Sequence, residues 1–238
     1  MVKKETLHSN PHIENTEPAL TLFTIQEIQF IFKKLIENKI KPKNQMESNQ
    51  KLLELSQRGD VKEVKELIRG QLDLNLNVQG NYGFTPLHYA CFYGHLQLVQ
   101  LLLSDPRTDI NSENDKGETP FAIACEKERI EIVKELIKYK KLDVNKKSKI
   151  GWTALMNICY NGRIDILKWV LACGKEVDLE VKNDDGETAI SLAIDLERER
   201  RRTEFVKLLE AFRQDPEQIR VQLRRQLGFE NFLIEIDS

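Results

Sequence analysis

The stretch "GFTPLHYACFYGHLQLVQLLL", residues 83–103, places two histidines and a cysteine in the order His88-x-x-Cys91-x-x-x-His95. On one continuous helix these side chains would share a face, and imidazole and thiolate are zinc ligands. Two features oppose a metal centre. Gly94 stands between Cys91 and His95, and a glycine there ends a helix, so His95 begins a different one. A closed zinc site also needs four ligands, and no fourth is near in the sequence. Neither a metal nor a cofactor is expected.

Other chemistries lack their full sets. "NDDGE" at 183–187 has the lettering of a calcium loop, but the EF-hand register would put the first ligand at Val181 and the closing glutamate at Leu192. Neither G-x-x-x-x-G-K-[ST] nor G-x-G-x-x-G occurs. The four histidines are scattered and suggest no Ser/His/Asp or Cys/His set. The expectation is a chain with no catalytic residue.

The elements that carry these letters recur. Gly83-Phe84-Thr85, Gly117-Glu118-Thr119, Gly151-Trp152-Thr153 and Gly186-Glu187-Thr188 follow one another at 34, 34 and 35 residues. Cys91, Cys125 and Cys159 repeat at 34, and Asp109, Asp143 and Asp178 each precede their glycine by eight. Within each unit a threonine suits a helix N-cap, with Pro86 or Pro120 at the first helical position. A short apolar helix follows, and Gly94 or Gly162 breaks it. Then comes an amphipathic helix, "HLQLVQLLL", "RIEIVKELI" or "RIDILKWVL". An extended D-[VI]-N segment and a turn such as "NDKG" or "NDDG" close the unit.

"GFTPLHYACFYGHLQLVQLLLSDPRTDIN" closely resembles the ankyrin repeat, whose pattern includes T-P-L-H-x-A and a period near 33 residues. A degenerate first unit is readable in "KLLELSQRGDVKEVKELIRGQLDLNLN", with Gly59 matching Gly94 and Val64 matching Val99. The resemblance implies an all-α solenoid of paired antiparallel helices with β-turn tips. Five units are expected at 50–80, 81–114, 115–148, 149–183 and 184–212. The last departs from the pattern: Ala193 to Val206 spans thirteen residues, where Ala90 to Val99 spans nine. Four extra residues amount to about one helical turn, in the first helix or its loop. "QDPEQIRVQLRRQLG" predicts a C-terminal capping helix within 213–238, with Asp215 as N-cap, Pro216 at N1 and Gly228 as stop. Before the repeats, "TIQEIQFIFKKLIENKI" predicts an N-terminal capping helix opened by the box Thr24-x-x-Glu27, with a linker "KIKPKNQMESNQ" completing 23–49. Residues 1–22 have the polar composition of disorder.

The resemblance also gives the chemistry-rich letters structural roles. His88 takes the family's bracing histidine position, which holds Ala122, Met156 and Ser191 in the other units. The cysteine row repeats at the unit period, and the resemblance implies layers roughly 10 Å apart, beyond the roughly 7 Å reach of a disulfide. Small-residue packing is expected there, and Cys173 is the most accessible thiol.

A partner surface follows from the same mapping. Contact positions in such a stack flank the turn glycine and follow the buried small pair of the first helix. Here they are Tyr82, Phe84, Phe92 and Tyr93; Lys116, Glu118, Glu126 and Lys127; Ile150, Trp152, Tyr160 and Asn161; and Asp185, Glu187 and Asp195. Aromatics of this kind are enriched in interaction hot spots. The competing arrangement has Phe84, Phe92 or Trp152 leaning half-buried onto neighbours.

The composition, 40% hydrophobic and 31% charged with net charge −2, fits a soluble globular chain without a global field for nucleic acid. No apolar run reaches the roughly 18 residues of a membrane span, and the N-terminus has no apolar core of a signal peptide. Four cysteines are too few for a disulfide scaffold. The expectation is a monomer in the cytoplasm, or in the nucleus, binding another protein and not a membrane. The alternative is an acidic surface or nucleic acid bound through "ERERRR", with Arg198, Arg200, Arg201 and Arg202, together with the C-terminal helix. Its interleaved glutamates also fit a solvated helix face.

Overall fold

The computed structural model describes residues 29, 44–200 and 203–228. The N-terminal capping helix expected at 24–40 and the disordered segment expected at 1–22 lie outside these residues, Gln29 excepted. Contacts divide the chain into Met1–Pro42 and Lys43–Ser238, and every element below belongs to the second unit.

Threonine caps set the helix starts. Thr85, Thr119, Thr153 and Thr188 each accept the backbone N–H three residues on, from His88, Ala122, Met156 and Ser191. They open the helices α3 (Pro86–Tyr93), α5 (Pro120–Glu126), α7 (Ala154–Asn161) and α9 (Ala189–Arg200). Each is followed by a second helix: α4 (Leu96–Leu103), α6 (Ile130–Leu136), α8 (Ile164–Ala172) and α10 (Thr203–Gln214). α1 (Asn44–Arg58) and α2 (Val61–Gly70) precede them, and α11 (Pro216–Leu227) closes the series. The stretch read as linker is therefore helical from Asn44. Its apolar stripe begins only near the end of that stretch, where buried Ser48 is followed at helical spacing by Leu52 and Leu55. In the last pair the extra turn sits in the helix: α9 has 12 residues where α3 has 8.

The helices stack in two rows. α1, α3, α5, α7 and α9 pack in sequence, as do α2, α4, α6 and α8, with α10 and α11 both against α8. The core runs continuously between the rows, from Leu52 and Val64 through Leu87, Val99, Phe121, Val133, Leu155 and Leu167 to Leu192, Phe205 and Leu209. No β-strand occurs among the described residues.

Adjacent turns touch. Asp115 N–H donates to the Tyr82 carbonyl, Lys149 N–H to Lys116 and Asp184 N–H to Ile150, at 2.8–3.2 Å. The glycines permit this approach. A Cβ on Gly83 would lie 2.5 Å from Asp115 N, and one on Gly117 would lie 2.8 Å from Lys149 N. Gly186 ends this row of turns and meets nothing within 4 Å, so its glycine serves only its positive φ of 79°.

Asparagines tie the loops on the opposite side. Asn77, Asn111 and Asn145 each donate through Nδ2 to a carbonyl of the next loop, at Arg107, Lys141 and Glu176. Each accepts through Oδ1 from the following backbone N–H at Asp109, Asp143 and Asp178. Both amide functions are used, which fixes the register between layers. At the next position Glu180 pairs instead with Arg213 of α10.

Candidate functional site

The site begins where turn tips meet the first-row helices. Tyr82 sits in a left-handed conformation, φ 59°, immediately before Gly83. A non-glycine residue held there is strained, and such strain collects at functional positions. Tyr82 is 80% exposed, Ile150 61%, Tyr160 59% and Tyr93 41%. Phe84, Phe92 and Trp152 are half-buried, as in the competing arrangement. They form the floor on which the exposed rings stand.

Two adjoining grooves result. The first, about 450 Å³, is lined by Tyr82, Phe84, Tyr89, Phe92 and Tyr93 from one unit and by Glu118, Glu126 and Lys127 from the next. Its rings interlock: Phe84–Phe92 at 5.9 Å and Phe92–Tyr93 at 5.0 Å meet edge-on, and Tyr89 stacks with Tyr93 at 6.5 Å. The second, about 670 Å³, is lined by Lys149, Ile150, Trp152, Asn157, Tyr160 and Asn161. Trp152 and Tyr160 meet edge-on at 5.4 Å and 80°. Asp115, Lys116, Glu118 and Glu126 belong to both grooves and form the ridge between them.

The ridge is electrostatically arranged. Lys127 Nζ bonds Glu126 at 2.7 Å and lies 4.9 Å from the centre of the Phe92 ring, so a cation already rests on that aromatic face. Glu118 accepts from Asn114 Nδ2 at 2.8 Å. All twelve contact residues expected in the second to fourth units, from Tyr82 to Asn161, line one groove or both. Asp185 and Asp195 are exposed and Glu187 half-buried, and none of the three lines either groove. Tyr89, Asn81 and Gln57 also line the first groove, and sequence reasoning missed them. Tyr89 sits three residues before Phe92 and four before Tyr93, a helical spacing that could have flagged it.

The reactive-looking letters are placed elsewhere. His88 is fully buried. Its Nδ1 accepts from the Thr85 backbone N–H at 3.2 Å, and its Nε2–H donates to the Glu118 carbonyl of the next unit at 3.0 Å. Burial pulls its pKa down to about 4, against the opposing pull of that carbonyl, so the ring is neutral near pH 7. His95 is the residue before α4, and its Nε2 pairs with the Gln57 carbonyl at 3.1 Å. His88 and His95 thus serve separate inter-unit contacts. Cys91, Cys125 and Cys159 are buried and unbridged, and burial pushes the Cys159 thiol up to about 12. Burial raises Cys91 and Cys125 as well. Cys173 is half-buried; burial raises it too, opposed by Lys175, Arg220 and Arg224. Among the described residues no three His, Cys, Asp or Glu side chains converge as metal ligands. The side chains of Arg198 and Arg200, and residues 201 and 202, lie outside the described residues.

Paired helices in two stacked rows, joined by turn tips that line grooves, define a helical repeat solenoid. The family described as "Ankyrin repeats (3 copies)" matches residues 106–181 and 142–219, and that described as "Ankyrin repeats (many copies)" matches 67–124. These matches span well over half of the 238 residues, and the chain belongs to the ankyrin repeat proteins. It is similar to oxysterol-binding protein-related protein 1 of Homo sapiens, 39% identical over 66 residues, and of Rattus norvegicus, 38% identical over 66. Each match covers 24% of this chain and 7% of the relative. Ankyrin repeats generally mediate protein–protein interaction, and the family is typically non-catalytic. Among the described residues no helix is long and apolar enough to cross a membrane.

Proposed function

We propose that this chain is a non-catalytic interaction module that docks a protein partner on the face running from Tyr82 through Trp152 to Tyr160. The supporting observation is the convergence of exposed Tyr82, Tyr93, Ile150 and Tyr160 on two adjoining aromatic-floored grooves. Buried aromatic anchors dominate interface energetics, and an exposed apolar cluster with a polar ridge is the surface such anchors need. The reactive side chains are enclosed: His88, Cys91, Cys125 and Cys159 are buried and committed to packing or bracing.

The test is a triple variant, Phe84→Ala, Tyr93→Ala, Trp152→Ala, compared with wild type after affinity purification and mass spectrometry. Matched thermal melts establish that both chains are folded. Partners that engage this face are lost from the variant, with at least about tenfold lower recovery if each anchor contributes as hot spots do. Equal recovery of every partner by both chains would sink the proposal.

A further inference from the structure

The two grooves share a ridge and differ in register by one layer of the stack. The first lies across α3 and α5, the second across α5 and α7. Stacked helices are separated by about 8–10 Å, so a ligand filling both grooves must place two side chains about that far apart on one side. A polyproline II segment rises about 3.1 Å per residue with three residues per turn, so residues i and i+3 face the same way about 9 Å apart. Same-side neighbours of a β-strand are closer, at about 6.6–6.8 Å.

The polar groups point the same way. The Trp152 indole N–H and the Lys116 and Lys149 ammonium groups have no hydrogen-bond partner among the described residues. The ridge carboxylates Glu118 and Glu126 are already engaged by Asn114 and Lys127, and Asp115 is the one ridge carboxylate without a side-chain partner among the described residues. The second groove is therefore rich in free donors. A helical ligand would meet them with carbonyls already bonded internally, whereas a polyproline II backbone carries unbonded carbonyls and its prolines carry no N–H. The edge-on pairs Trp152–Tyr160 and Phe92–Tyr93 line the grooves with angled aromatic faces, the kind of surface on which polyproline II ligands dock. Beyond the second groove, the Asp184 backbone bonds the Ile150 carbonyl, which sets the exposed Asp184 and Asp185 beside that groove's end. Neither carboxylate has a partner among the described residues.

We propose that the grooves bind one proline-rich segment in the polyproline II conformation, with apolar side chains at i and i+3 and a basic residue beyond the Trp152 end. This rests on the docking face proposed above and names the chemistry of its partner.

The experiment uses the full chain labelled with ¹⁵N and two synthetic peptides built on Pro-Leu-Pro-Pro-Leu-Pro, with an arginine at one end or the other. The readout is the pair of tryptophan indole N–H signals. Trp169, on α8 beneath Lys134, is the internal control. Saturable displacement of the Trp152 signal, with Trp169 unmoved, is expected from at least one orientation. Moving the second leucine to i+2 weakens binding about tenfold, the worth of one unburied leucine. Trp152→Phe, followed through the backbone amide signals of Ile150 and Tyr160 because its indole signal is gone, weakens binding about 3–10-fold, the worth of one hydrogen bond. The pair Asp184→Asn and Asp185→Asn removes the advantage of the arginine. Absence of any Trp152 displacement overturns the inference, as does indifference to leucine spacing. A helical peptide that moves Trp152 where the proline-rich peptides do not overturns it while leaving the docking face standing. Failure of the face itself appears separately, as unchanged partner recovery by the triple variant.

Discussion

His88 shows how an isolated residue can look catalytic and be structural. Its ring closes two contacts at once, one within its own unit and one to the next. Both need a neutral imidazole, with Nδ1 accepting and Nε2 donating. Its folded pKa of about 4 lies below the ordinary 6.5, so between those values the unfolded chain binds the proton more readily. Its contribution is therefore present above about pH 6.5 and is lost as pH falls towards 4, by roughly 3 kcal/mol in total. His88→Ala strands the Thr85 N–H and the Glu118 carbonyl, at a cost of about 2–4 kcal/mol near pH 7. Urea unfolding of both chains near pH 7.5 and near pH 4.5 checks the sign. The gap between wild type and variant narrows on acidification. A constant gap would mean that His88 does not titrate as its burial requires.

The glycine that ends three of the first-row helices acts at the scale of the element. Gly59, Gly94 and Gly162 occupy that position with positive φ, and the third unit has Glu128 there, held at φ 57°. A left-handed conformation costs a non-glycine residue about 1–2 kcal/mol. Glu128 recovers part of this through its 2.6 Å ion pair with Arg163, but that pair is exposed and worth under about 1 kcal/mol. Glu128→Gly therefore raises stability, by up to about 1 kcal/mol, while Gly94→Ala at the same place in the repeat lowers it by about 1–2 kcal/mol. Denaturant midpoints of the two variants should move in opposite directions, and movement in the same direction refutes the argument. The repeated threonine caps and helix-ending glycines make the helix pairs readable in the sequence, because each acts within a single unit. The asparagine ladder is not legible from the D-[VI]-N segment alone, although Asn77, Asn111 and Asn145 recur at 34 residues. Its partners lie about thirty residues away and meet it only once the layers stack. The groove residues are legible by register, but the half-burial of Phe84, Phe92 and Trp152 is legible only as one of two arrangements, since it depends on rings from neighbouring positions.

At the scale of the whole stack, each layer is supported only by its neighbours, so an end must be closed by something other than another repeat. α11 does this for α8. Arg224 Nε donates to the Ala172 carbonyl at 2.9 Å and Arg220 Nη2 to Lys175 at 2.8 Å, so two cations satisfy carbonyls where that helix ends. Leu223 is buried beneath them, and the Arg224 guanidinium lies over Gly174, next to Cys173. Truncation after Gln214 removes this cover. Lost burial of Leu223 and two charge-assisted hydrogen bonds together cost roughly 3–6 kcal/mol, concentrated in the last layer. Iodoacetamide labelling followed by mass spectrometry reads where that cost falls. In the intact chain Cys173 reacts slowly; in the truncated chain it reacts much faster, while Cys91 and Cys125, deeper in the stack, stay protected by complete burial. Equal Cys173 rates would show that α11 does not cover it. Simultaneous labelling of all four thiols would show that the stack opens as one cooperative unit, because nearest-neighbour support predicts loss from the end inward.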